Sequence, residues 1–257
     1  MVLAGLLVGC QPQERTETEL VGGGPAVGEE VELEQIVLAE ITDQVGVDFT
    51  YRNGGEAGEN TILETLGNGV GFIDFDLDGY LDLFLPGGGR LDGKQVQGHP
   101  AALLRNLGGL QFRDVSTLAQ TNDDSLYSHG CQVADIDNDG FPDLLVTGFG
   151  SLLLYHNQGD GTFLEIHKQA GLVNASWSTS AGLGDLNGDG FVDIYICNYV
   201  DWSFDNHPVC MSSDQKPDIC SPRQFKALAD VLYFNNGDGT FRDVSATAGL
   251  VDGEERE

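Results

Sequence analysis

Basic residues are scarce. Twelve Lys and Arg stand against 41 Asp and Glu, which leaves a net charge of −29 at pH 7. A surface of that sign repels phosphate backbones and anionic headgroups, so nucleic acid and a bare lipid surface are poor partners. Histidine is sparse too: His99, His129, His156, His167 and His207 are scattered along the chain. No Gly-x-Ser-x-Gly elbow, Walker loop or His-Glu-x-x-His pair occurs. The aspartates have another use, so catalysis lacks its sequence signatures.

Long apolar runs are also missing. After the first residues nothing approaches the roughly 18 apolar residues of a spanning helix. Met1 to Gly9 is apolar, and Leu7-Val8-Gly9-Cys10 matches a bacterial lipobox, with Cys10 as the lipidated residue. The Lys or Arg of an ordinary signal n-region is absent. Residues 1–10 are thus read as an export signal and residues 11–30 as a flexible tether. The protein is expected to be exported, either as a cell-surface or periplasmic lipoprotein or as a secreted chain. Its only contact with a membrane would be a lipid anchor.

Four more cysteines remain. In an oxidising compartment, Cys210 and Cys220 are expected to close a small loop as a disulfide. Zinc held by His207, Cys210 and Cys220 is the alternative, although the spacing fits no common zinc pattern. Cys131 and Cys197 fall in predicted strands and read as buried thiols.

What the chain does have is a repeated acidic loop. Asp74-Phe-Asp76-Leu-Asp78-Gly79-Tyr80-Leu-Asp82 is followed by Asp135-Ile-Asp137-Asn-Asp139-Gly140-Phe141-Pro-Asp143. The third copy is Asp185-Leu-Asn187-Gly-Asp189-Gly190-Phe191-Val-Asp193. So many carboxylates repel one another unless a cation lies among them. Oxygen donors at positions 1, 3 and 5, glycine at 6 and a carbonyl at 7 suit Ca²⁺. An EF-hand would need Glu at position 12, where Leu85, Val146 and Ile196 stand; here the last acid is at position 9. Solvated turns would also favour Asp and Gly, but three copies in phase favour about three calcium sites. Loop three has one acid fewer, so charge count predicts that it is the weakest.

Short β-branched and aromatic runs flank each loop, so each is expected to join two antiparallel strands. A second motif accompanies them. Asn157-Gln-Gly-Asp-Gly-Thr-Phe163 nearly recurs as Asn235-Asn-Gly-Asp-Gly-Thr-Phe241, and a decayed copy starts at Asn106. Asn-x-Gly-Asp-Gly between apolar runs is a hairpin signal. A third element, Glu165-Ile166 with Ala170-Gly171-Leu172, is echoed by Asp243-Val244 with Ala248-Gly249-Leu250 and at the front by Ile41 with Val45-Gly46-Val47.

One repeat is therefore strand, acidic loop, strand, connection, strand, hairpin, strand: a four-stranded antiparallel blade. The expected fold is all-β, a partial β-propeller of about three blades within residues 31–257, at about 38–116, 117–172 and 173–250. In this alignment His156 shares a slot with Arg105 and Phe234, which marks a strand position. His129, next to Gly130 at the start of a strand, is expected at the surface. Repeat three carries a long insert between Asn198 and Ala229, with Trp202, Phe204, His207, Cys210 and Cys220. Such inserts often bind partners, or they cover an apolar surface.

These motifs resemble the FG-GAP/VCBS repeat family over residues 38–250, within it the cartilage-acidic-protein-like branch often linked to an ASPIC/UnbV domain. The insert ending Cys220-Ser221-Pro222 with Phe225 is similar to that branch. Integrin α-subunit propellers are more distantly similar. The resemblance implies a calcium-stabilised propeller for extracellular recognition or adhesion, with an unidentified protein or glycan as ligand. It places the metal on Asp74, Asp76, Asp78 and Asp82 and their counterparts, completed by the carbonyls of Tyr80, Phe141 and Phe191. Propellers close with about four to eight blades. Three repeats thus read as the front of a longer propeller or a shortened product, with open edges able to self-associate. A hydrolase or polysaccharide-active protein on the same scaffold is the alternative activity, and a non-functional fragment is the third reading.

Overall fold

The computed structural model describes residues 39–250, so the expected export signal, Cys10 and the tether lie outside the described residues. The described chain is dominated by strands. The first blade comprises Gly71–Ile73, Asp82–Leu85, Ala102–Asn106 and Phe112–Asp114. The second comprises Tyr127–Ala134, Asp143–Phe149, Leu152–Asn157 and Phe163–Glu165. Ser178–Gly184, Asp193–Asn198, Val231–Asn235 and Phe241–Asp243 form the third. Within each sheet sequence neighbours pair antiparallel, in the up-and-down order that the repeats predict. The sheets suit a propeller-like fold, and no ring closes among the described residues.

The blades are held together by what lies between them. Ile73, Phe84 and Leu103 of the first pack against Leu144, Val146 and Tyr155 of the second. Leu145, Leu152 and Leu154 face the other way, against Ile194, Ile196 and Tyr233 of the third. Side chains alternate across a strand. A middle blade with both faces covered therefore needs an unbroken apolar run, and Leu144-Leu145-Val146 provides one.

A polar bond repeats at each junction. The buried side chain of Asn157 donates from Nδ2 to the Phe75 carbonyl of the preceding blade at 2.9 Å. Asn235 donates to the Ile136 carbonyl at 2.8 Å. Each asparagine Oδ1 also accepts the N–H of its own turn glycine, Gly159 or Gly237. The hairpin residue thus sets both the turn and the blade spacing. Asn157→Ala strands these partners in a dry junction and is expected to cost about 2 kcal/mol, read from the urea midpoint. A shift below about 0.5 kcal/mol would remove the junction role.

Two inserts meet at one end of the blades. In the first repeat a hairpin, Gly88–Asp92 with Gln95–Gly98, lies on Tyr127; a Cβ at Gly89 would come within 2.3 Å of that ring. In the third repeat the insert brings Val200 and Trp202 onto Trp177. Trp177 is almost fully buried, with Phe149, Tyr199 and Trp202 packed edge-on around it. Beyond that cluster the small sheet Cys210–Met211 with Pro217–Asp218 is closed by a Cys210–Cys220 disulfide. Those sulfurs are therefore committed to each other, not to zinc. Nδ1 of His207 instead accepts from the Trp202 indole at 3.1 Å.

His129 is not at the surface as its position predicts. It is 3 % exposed. Trp177 Nε1 donates to its Nε2 at 2.8 Å, and the Tyr51 hydroxyl lies 3.3 Å from its Nδ1. Cys131 is buried and Cys197 half-buried; both are free thiols. Burial pushes the Cys131 thiol up to about 12, which keeps it protonated and unreactive.

Candidate metal-binding loops

Each acidic loop joins the first and second strands of its blade, and all three use one internal wiring. The position-1 carboxylate accepts backbone N–H groups from further along the turn. Asp74 takes those of Asp78 and Gly79, both at 3.0 Å. Asp135 takes those of Asp139 and Gly140 at 3.1 and 2.9 Å, and Asp185 those of Asp189 and Gly190 at the same distances. The position-5 acid then accepts the N–H of position 7, at 2.8–3.0 Å in the three loops. Gly79, Gly140 and Gly190 have φ of +87°, +95° and +90°, which explains glycine at position 6.

The position-9 acids behave differently from the rest. Asp82, Asp143 and Asp193 are essentially inaccessible. Asp143 accepts the N–H of Ile136 at 3.0 Å on one oxygen and that of Asn157 at 2.8 Å on the other. Asp82 clamps Phe75 and Asn106 in the same way, and Asp193 clamps Leu186 and Asn235. This acid therefore ties the loop to the hairpin of its own blade. A carboxylate has about four lone-pair sites, so two remain for a metal. Burial pushes the Asp82 and Asp143 carboxyls up to about 6.

The loops also differ among themselves. Carboxylate oxygens of Asp74, Asp76 and Asp78 lie within 4.8 Å of one another, as do those of Asp135, Asp137 and Asp143. Among the described residues no such group of His, Cys, Asp and Glu forms in loop three. There the Asn187 amide donates to Asp189 at 2.9 Å instead. One oxygen of Asp76, Oδ1, is buried without a hydrogen-bond partner. An orphaned carboxylate oxygen inside an all-oxygen donor set suits a hard cation such as Ca²⁺. The residues present fit the ion.

Two neighbours of these loops escape sequence reasoning. Arg105 Nη2 lies 2.6 Å from Asp76 and 3.1 Å from Asp78. His156 Nδ1 lies 3.1 Å from Asp143 and 3.7 Å from Asp137. Their shared slot in the repeats is visible in the alignment, but its aim at the loop is not. Position 7 is clearer in the structure: the Phe141 and Phe191 rings lie on Gly159 and Gly237, where a Cβ would meet them at 2.9 and 3.0 Å. Loop and hairpin motifs therefore travel together for a packing reason.

At the insert end Phe149, Trp202 and Phe204 line an open cleft of about 610 Å³ with Val96 and Tyr127. Lys94 and Asp205 face each other at 3.7 Å on its rim, both largely exposed. Such a surface ion pair contributes little stability.

A family model described as an FG-GAP-like repeat matches residues 74–146 and 135–196. Each match runs from position 1 of one loop to position 12 of the next, so the chain carries FG-GAP-like repeats. No curated protein sequence matches it. Among the solved structures it resembles is a lectin of Agrocybe aegerita, described as specifically recognising non-reducing terminal N-acetylglucosamine. Identity is 18 %, the TM-score is 0.30, and the match covers 67 % of this chain and 50 % of that one. The chain thus spans about half the length of that structure.

Proposed function

We propose that this protein is an exported, calcium-binding propeller-type module for extracellular recognition or adhesion, in which the metal is structural. The carrying observation is the loop pair one and two: oxygens of positions 1, 3 and 5 brought together in loop one and of positions 1, 3 and 9 in loop two, with a buried clamp at position 9 and the orphaned Asp76 oxygen. Asp74, Asp76, Asp78 and Asp82 with the Tyr80 carbonyl would hold one ion. Asp135, Asp137, Asp139 and Asp143 with the Phe141 carbonyl would hold a second. Asp185, Asn187, Asp189 and Asp193 with the Phe191 carbonyl would hold a third. When bound, Ca²⁺ offsets the crowded negative charge and fixes each corner between two strands. It performs no chemistry on a substrate.

In this reading the insert end is the recognition surface. The repeat-three insert covers apolar surface where Trp202 packs on Trp177, and with Phe149 and Phe204 it lines the cleft that would take the partner. A rim of one cation and one anion, on an otherwise strongly acidic chain, favours an uncharged region of a partner.

Calorimetric titration of the metal-stripped full chain with Ca²⁺ tests the metal reading. Binding of two to three ions with micromolar to tens-of-micromolar affinity is expected. Absence of binding at millimolar Ca²⁺ would reduce the loops to hydrogen-bonded turns.

A further inference from the structure

The residue before each hairpin asparagine differs in every blade. In the third blade it is Phe234, whose ring lies 5.4 Å from the Arg242 guanidinium and brings no charge. In the second it is His156, with Nδ1 nearest to Asp143. The first blade alone places a permanent cation there: Arg105, held against Asp76 and Asp78. A guanidinium stays charged at any ordinary pH.

Those two carboxylates occupy positions 3 and 5, the same donors that calcium would use. By count, loop one has four acids and loop three has three, so loop one should bind more tightly. With Arg105 included, loop one is −4 + 1 = −3, equal to loop three. The extra positive charge also sits on the ligand oxygens themselves, where it opposes an incoming ion most strongly. Nor is the pairing a full lock. One nitrogen, Nη2, makes both contacts, while Arg105 Nε and Asp76 Oδ1 are buried without partners. A forked Arg–carboxylate pair would use both of its edges. The geometry is that of a displaceable stand-in.

We propose that Arg105 is the resident counter-cation of the first acidic loop, so that this loop takes calcium last. The proposal rests on the calcium reading above and reverses the order predicted by acid count and by the ungathered donors of loop three. Loops two and three would bind at low calcium, and loop one only when the ion is abundant enough to displace the guanidinium. The chain would thereby hold two fixed sites and one graded site.

The loops can be separated spectroscopically, because position 7 is Tyr80 in loop one and phenylalanine in the other two. Terbium luminescence excited through tyrosine, in the full chain, therefore reports loop one; loss of the signal in Tyr80→Phe confirms the assignment. Calcium competition against that signal, alongside calorimetry of all sites, gives the loop-one midpoint. Arg105→Met is expected to tighten it at least tenfold, about 1.4 kcal/mol. Arg105→Lys, which keeps a charge, should leave it near the wild-type value and shows whether the site still folds. An unchanged or weakened midpoint in Arg105→Met, with loops two and three still binding, overturns the proposal alone and makes Arg105 a positioning residue. No binding at any loop in either protein overturns the calcium reading and the proposal together.

Discussion

Chelation of calcium is expected to lower the unfolding free energy of the full chain by about 5 kcal/mol. The size follows from mass action. A site with affinity on the order of 10⁻⁵ M, in millimolar Ca²⁺, contributes about 2.7 kcal/mol when the unfolded chain does not bind. Loops two and three supply two such terms, and loop one adds less if Arg105 resists filling. Domains are stable by only about 5–15 kcal/mol in total. The loss would therefore decide whether the blades stay folded. Without the ion, Asp82 and Asp143 remain buried; Asp143 keeps His156 at 3.1 Å, whereas Arg105 pairs with Asp76 and Asp78 rather than Asp82. The two buried acids anchor the first and second hairpins, so a loosened loop would loosen the blade. Urea unfolding followed by circular dichroism, in millimolar Ca²⁺ and in EDTA, measures the difference. Coincident midpoints would sink the prediction.

Much of this was legible in the sequence because the same residue types recur at fixed spacing. The echo between Ile41–Val47 and Ile166–Leu172 is one case. In the structure Gly46 lies against the Phe112 carbonyl and Gly171 against that of Phe241, where Cβ atoms would come within 2.7 and 2.9 Å. Equivalent glycines meet equivalent strands. Position 4 of the loops was hidden for the opposite reason. Leu77, Asn138 and Gly188 all adopt positive φ, at 55°, 61° and 80°, yet nothing in their chemistry announces a shared demand. Leucine is an uncommon occupant of that region.

The misplaced histidine has a geometric cause. The pairing of the first two strands of the second blade shifts register between Ser128 and Gly130, so His129 is an extra residue in its strand. The third blade has the same irregularity between Ser178 and Ser180. A bulge shifts alternation by one residue, so a place near the start of a strand does not fix which way the side chain faces. Arg105 was missed because sequence spacing places it on a strand but does not show what lies across from it.

Acidification should expose His129. The Trp177 indole can only donate, so Nε2 of His129 must be unprotonated to accept from it. The Tyr51 hydroxyl faces the other nitrogen, and burial holds that phenol at about 12, leaving it neutral. Burial likewise pushes the imidazole down from 6.5 to about 4. Between these values the unfolded chain carries a proton that the folded chain refuses, so stability falls as the pH falls. The contribution is complete above pH 6.5 and is lost by about pH 4, a change of about 3 kcal/mol. Asp82 and Asp143 act in the other direction when no metal is bound, because their carboxyls are raised above the ordinary 3.8. A difference between variants separates the two effects. His129→Gln keeps an acceptor near the indole but cannot titrate, and the acids contribute alike to both proteins. Between pH 7 and pH 4 wild type should lose about 3 kcal/mol more than His129→Gln, read from urea midpoints. Parallel losses would mean that protons reach His129 without breaking its bond to Trp177.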